Sequence, residues 1–81
     1  MQGEDRIRKL RWLCRRGMKE LDVLLEGFLE ANRQALRSGA YSQLEDLLAQ
    51  EDDQIWAWVQ RLGEPENPQF RVLINTIRRG A

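Results

Sequence analysis

The stretch LDVLLEGFLEANRQAL, residues 21–36, places Leu21, Leu24, Leu25, Phe28, Leu29, Ala35 and Leu36 at i, i+3, i+4, i+7 spacing. One stripe of a 3.6-residue period therefore stays apolar for about four turns. An amphipathic helix of this length needs other elements to cover its stripe, and no alternating apolar–polar run in the chain offers a strand. The fold class follows: all-α, with this helix near residues 18–38 and Gly39 as its stop.

Working outward, Ile7, Leu10, Leu13 and Cys14 share one face of a first helix near residues 4–16, which Gly17 interrupts. Downstream, Leu44, Leu47 and Leu48 mark a short helix near 41–50, where Ser42 and Glu45 have capping-box spacing. Asp52 reads as the N-cap of a fourth helix near 53–62, with Asp53 in its first turn and Ile55, Trp56, Val59 and Leu62 as its buried stripe. Trp58 falls about 200° around from Trp56 and is expected to be partly exposed or to lie against the second helix. After the loop Gly63–Pro68, Asn67 and Pro68 read as N-cap and first residue of a helix near 68–79, carrying Phe70, Leu73, Ile74 and Ile77 inward. The expectation is a small five-helix bundle forming a single domain over residues 1–81.

The chain has 81 residues, 42% hydrophobic and 32% charged, enough for one modest core. It holds no histidine, which removes imidazole acid–base chemistry, Ser–His or Cys–His nucleophile pairs and His-ligated metal sites. The single cysteine, Cys14, has no partner for an intramolecular disulfide and reads as a small core residue. No Gly-rich phosphate loop or dinucleotide fingerprint occurs. Glu51, Asp52 and Asp53 lack EF-hand spacing and read as a solvated helix start. The longest apolar run, Ile55–Val59, is far too short for a membrane span, and no apolar leader is readable at the start. A soluble cytoplasmic protein without enzymatic activity is expected.

Thirteen basic and thirteen acidic side chains give zero net charge, but they are segregated. Residues 1–19 carry a net +5, residues 20–66 a net −8 and the last fifteen a net +3. Eleven of the thirteen cations are arginine, whose planar fork suits carboxylate and phosphate recognition, so a binding surface is expected. The basic first segment ends at Cys14-Arg15-Arg16-Gly17-Met18-Lys19-Glu20-Leu21-Asp22, the junction of the first two helices. A glycine there permits close approach of another backbone. Arg16 and Glu20, four positions apart, either face one partner together or pair with each other.

The run Lys9-Leu10-Arg11-Trp12-Leu13-Cys14-Arg15-Arg16-Gly17-Met18-Lys19-Glu20-Leu21-Asp22 closely resembles the bacterial flavinylation factors of succinate dehydrogenase, the SdhE-type family of FAD assembly factors. The family's Arg-Gly-x-x-Glu signature is expected by chance in about one or two of a hundred chains of this length. The flanking Trp-x-Cys-Arg-Arg and Glu-Leu-Asp make the match far more specific. Leu24, Leu25, Phe28, Leu47, Leu48, Asp52, Ile55, Trp56 and Trp58 extend it, so that it covers roughly residues 6–79. Asp52-Asp53-Gln54 departs from the Asp-Pro-Asp often seen there, which bears on helix initiation rather than on partner binding.

The resemblance implies an assembly factor that binds the flavoprotein subunit of succinate dehydrogenase, and in related systems fumarate reductase, and promotes covalent attachment of FAD to a histidine of that client. It implies a partner surface of Arg16, Gly17 and Glu20, with Arg15 and Asp22 as neighbours. FAD then belongs to the client, and this chain is expected to hold no cofactor stably and to be a monomer when free. Arg16 is expected to make charge-assisted contacts across the interface, and Gly17 to admit the client's backbone. Trp12 lies off the first helix's apolar line and either packs under the arginines or joins the partner surface. Met18 suits core or interface. The rival reading, a small arginine-rich nucleic-acid-binding or protein-interaction module, draws on the +5 segment but conflicts with the acidic middle.

Overall fold

The computed structural model describes residues 2–79. Its helices are α1 (Gln2–Leu13), α2 (Lys19–Ala31), α3 (Arg33–Arg37), α4 (Leu44–Leu48), α5 (Asp52–Val59) and α6 (Pro68–Arg79), and there is no strand among the described residues. Every helix contributes apolar side chains to one core. Ile7 and Leu10 of α1, with Cys14 just beyond it, meet Leu21, Leu25, Phe28 and Leu29 of α2. Leu36, Leu44, Leu47, Leu48, Ile55, Trp58, Phe70, Leu73, Ile74 and Ile77 complete it, and among the described residues no polar or charged one is buried. The α1 helix packs on α2, α3 and α4, while α6 crosses α2, α4 and α5. The radius of gyration is 11.8 Å, against about 11.7 Å expected for a compact chain of this length.

Six helices rather than five form because the expected 18–38 helix breaks at Asn32. There the backbone turns to φ −117°, ψ 21°. Both its N–H (3.0 Å) and its side-chain Nδ2 (2.9 Å) donate to the Phe28 carbonyl. An asparagine offers the backbone this local alternative to helix continuation. The first helix ends at Leu13, not Arg16, because residues 14–16 leave it to approach Gly17, whose φ is +84°. The α4 helix is shorter than expected because Tyr41 adopts a left-handed φ of 56° and Gln43 is the N-cap. Ser42 and Glu45 form no capping box, since Glu45 faces Arg6 instead. Asp52 is the first residue of α5 and not its N-cap, a position held by Glu51. Asn67 caps α6 as expected, its Oδ1 accepting the Gln69 N–H at 2.8 Å.

The ends of α3 and α5 are built alike. In α3 the Gly39 N–H reaches the Leu36 carbonyl and the Ala40 N–H the Ala35 carbonyl, with Gly39 at φ +96°. In α5 the Arg61 N–H reaches Trp58 and the Leu62 N–H reaches Ala57, with Arg61 at φ +65°. Both are Schellman closures, which favour glycine at the left-handed position. The α5 closure also corrects the expected stripe: the helix stops before Leu62, which is 73% exposed. The Ile55–Trp58 edge faces α6, so Trp58 is buried against Phe70 (centroids 6.3 Å apart) while Trp56 is only partly buried.

Four arginines tie these elements together through backbone carbonyls. Arg6 donates to the carbonyls of Leu36 (2.7 Å), Ala40 (2.7 Å) and Tyr41 (2.8 Å) and forks onto both Glu45 oxygens (2.8 and 3.1 Å). Its hydrogen bonds hold the Glu45 carboxyl below its ordinary pKa, against an opposing effect of burial. Arg71 covers the carbonyls of Pro65 and Glu66, and Arg78 those of Trp58 and Val59. The fourth is Arg16, at the α1–α2 junction.

Candidate functional site

The junction is built around Arg16 and Asp22, facing opposite ways along the chain. The Arg16 side chain is 10% exposed. Its Nε donates to Asp52 Oδ1 at 2.6 Å, Nη1 to the Leu13 and Leu48 carbonyls at 2.9 and 2.6 Å, and Nη2 to the Gln50 carbonyl at 2.6 Å. One guanidinium thereby joins the end of α1, the end of α4, the α4–α5 turn and the start of α5. Carbonyls at helix ends have no partner within the helix, and a planar fork of donors can serve several at once. Asp22, in the first turn of α2, accepts the backbone N–H of Arg16 at 2.8 Å and of Gly17 at 3.3 Å. The turn is therefore fixed from inside by Arg16 and from α2 by Asp22.

Arg16 does not pair with Glu20, and four of its five N–H donors are engaged within this protein's own chain. In the free protein Arg16 therefore acts as an internal clamp. Gly17 is exposed, and a Cβ built on it meets nothing within 4 Å. Its left-handed φ, not internal crowding, is what calls for glycine. Arg15 and Glu20 are exposed on either side of it, and neither makes a side-chain hydrogen bond or ion pair among the described residues. Met18 packs against the core. Trp12, one turn before the junction, is 72% exposed. Of the five residues assigned to the site, three (Arg15, Gly17 and Glu20) lie at the surface and two (Arg16 and Asp22) support them from beneath.

Sequence reasoning missed Asp52 as the partner of Arg16. The two stand 36 positions apart, and no local pattern links them. Cys14, directly beneath the junction, is buried, and its thiol pKa is pushed up to about 12 chiefly by that burial, with Glu26 adding to the effect. Among the described residues no group of three or more His, Cys, Asp or Glu converges to hold a metal, and no helix is long and apolar enough to cross a membrane.

Comparison with known proteins places this junction in a family. Residues 8–81 match the family model described as the flavinator of succinate dehydrogenase. The chain is 38% identical over 71 residues to the FAD assembly factor SdhE of Coxiella burnetii, covering 88% of this chain and 87% of that one. Its identity to the protein of the same name from Pseudomonas aeruginosa is 35% over 77 residues, covering 95% and 92% of the two chains. With the corresponding protein of Photobacterium profundum it is 32% over 77 residues, covering 95% and 88%. No solved structure matches it significantly. A match that takes in both the clamp and the surface it supports leaves one assignment: the chain belongs to the family of flavinators of succinate dehydrogenase.

Proposed function

We propose that this protein binds the flavoprotein subunit of succinate dehydrogenase, and the related subunit of fumarate reductase, and promotes covalent attachment of FAD to a client histidine. The α1–α2 junction is the docking surface. Arg15, Gly17 and Glu20 meet the client, Arg16 and Asp22 hold them in place, and Trp12 extends the contact along α1. The observation that carries this reading is a braced turn that presents, around an open glycine, two opposite charges without a partner among the described residues. A surface ordered before binding loses less entropy when the partner arrives. The open space over Gly17 leaves room for the client's backbone.

In this reading the chain is an assembly factor, a monomeric single domain of the bacterial cytoplasm, and not an enzyme. It supplies no reacting group and holds no cofactor; the flavin and the histidine both belong to the client. Its contribution is positional: it steadies the client in a conformation that brings the flavin ring and histidine into near-attack geometry. The nucleic-acid reading loses much of its support because four cations of the basic segment are already paired, Arg6 with Glu45, Arg8 with Asp5, Arg11 with Glu30 and Arg16 with Asp52.

Co-expression with the host's flavoprotein subunit tests the proposal, scored by flavin fluorescence of the denatured subunit. Covalent flavin is expected to depend on this protein and to fall at limiting protein when Glu20 is replaced by alanine. Equal covalent flavin with and without the protein overturns it.

A further inference from the structure

At the end of α5 remote from the docking surface, the α5 closure and the last turns of α6 enclose two adjoining open clefts of about 400 and 320 Å³. Both are lined by Arg61, Asn75 and Arg78; Arg79 lines one and Glu64 the other. Three guanidiniums thus line these clefts beside one carboxylate, and those of Arg61 and Arg79 keep forks uncommitted among the described residues. Arginines near helix C-termini ordinarily compensate exposed carbonyls, and Arg78 does so here, donating Nε to the Val59 carbonyl (3.0 Å) and Nη2 to the Trp58 carbonyl (2.6 Å). It also donates to Asn75 Oδ1. Arg61 and Arg79 are exposed and make no ion pair or side-chain hydrogen bond among the described residues. They are cations surplus to the closure of the helices.

Arg61 is the more telling of the two. The closing turn of α3 places Gly39 at the left-handed position, whereas the same turn on α5 carries Arg61 at φ +65°. A non-glycine residue there is strained by roughly 1 kcal/mol or more. No hydrogen bond of its side chain among the described residues offsets that strain. We infer that Arg61, Arg78, Arg79 and Asn75 form a binding site for a small phosphate-bearing anion, such as inorganic pyrophosphate, separate from the docking surface. Guanidinium forks match phosphate oxygens in pairs, and several forks around one cleft call for more acceptor oxygens than a single carboxylate offers. Asn75 has its Nδ2 donor to add, because its Oδ1 is held by Arg78. The site belongs to this chain alone, so its test does not depend on the client reading.

The test is a titration of the free protein with inorganic pyrophosphate at constant ionic strength, followed by the arginine Nε–H and Asn75 amide signals in nitrogen-15 NMR spectra. Saturable shifts confined to Arg61, Arg78, Arg79 and Asn75 are expected. Arg61→Gly relieves the left-handed strain and is expected to keep or raise the melting temperature while weakening binding at least tenfold. Arg79→Gln, on the exposed last turn of α6, is expected to weaken binding to the same degree. Affinity retained to within tenfold by either variant overturns the site. So do unsaturating shifts of equal size at Arg8 and Arg15, which mark general charge attraction, and binding of succinate at equal affinity, which marks a carboxylate site.

Discussion

Replacing Arg16 with lysine separates the internal clamp from a contact residue. The substitution keeps the charge but replaces a planar fork with a single ammonium on a flexible stem. Arg16 makes four side-chain hydrogen bonds, to Asp52, Leu13, Leu48 and Gln50. An ammonium cannot reach acceptors spread around the whole fork, so about two of these bonds are lost, each contributing about 1.5–3 kcal/mol when the donor is charged. The Asp52 side chain is 36% exposed, so solvent screens that pair and the carbonyl bonds matter more. Two such bonds amount to about 3–6 kcal/mol, which hydration of the freed groups lowers to about 2–4 kcal/mol, out of the roughly 4–12 kcal/mol a chain of this length is expected to have. Near 4–8 °C per kcal/mol, the melting temperature falls by about 8–32 °C. Thermal and urea unfolding followed by tryptophan fluorescence measure it, with Glu20→Ala as the surface control, expected within about 0.5 kcal/mol of the parent. If Arg16→Lys unfolds like the parent yet loses the client, Arg16 is an interface residue and the clamp is wrong.

Two further outcomes follow from the same geometry. Gly17→Ala is expected to cost about 1–2 kcal/mol through its left-handed φ. Gly17→Asn, better tolerated there, is expected to cost less while still abolishing client binding; a Gly17→Asn variant that supports normal flavinylation refutes a close approach at this position. Arg6 holds the Glu45 carboxyl below its ordinary value of 4.5, so the pair stabilises the fold above that pH and the contribution is lost as pH falls through the lowered folded value. Glu45→Gln is thus expected to melt earlier than the parent at pH 7, with the two melting curves converging below pH 4.5; a difference that stays constant with pH refutes the assignment.

The helices whose apolar stripes face the core over several turns were legible from spacing alone. Leu21, Leu25, Phe28 and Leu29 in α2 and Phe70, Leu73, Ile74 and Ile77 in α6 are buried as their period requires, with Leu24 partly buried at the edge of the stripe. Punctuation was legible where local chemistry is decisive, at Gly17 and at Asn67-Pro68. The Asn32 break was not, because the apolar period continues through it to Leu36, and only the doubled hydrogen bond to Phe28 reveals the turn. Trp56 and Trp58 exchanged roles because a short helix with apolar residues on two sides does not itself say which side its neighbour covers. The α1–α2 junction was legible as a segment, but not which of its side chains are exposed and which brace it from beneath. Abundant arginine pointed to an external ligand, and whether a guanidinium turns outward or onto distant carbonyls depends on residues 30 or more positions away.

The use of arginine at the fold's polar joints has a consequence for its operating range. A guanidinium keeps its proton at any pH a protein survives. With no histidine in the chain, none of the four joints made by Arg6, Arg16, Arg71 and Arg78 contains a donor that changes protonation under physiological conditions. The Gly17 turn therefore keeps one shape whether its surroundings are mildly acidic or mildly alkaline, so the proposed docking surface is presented unchanged across that range.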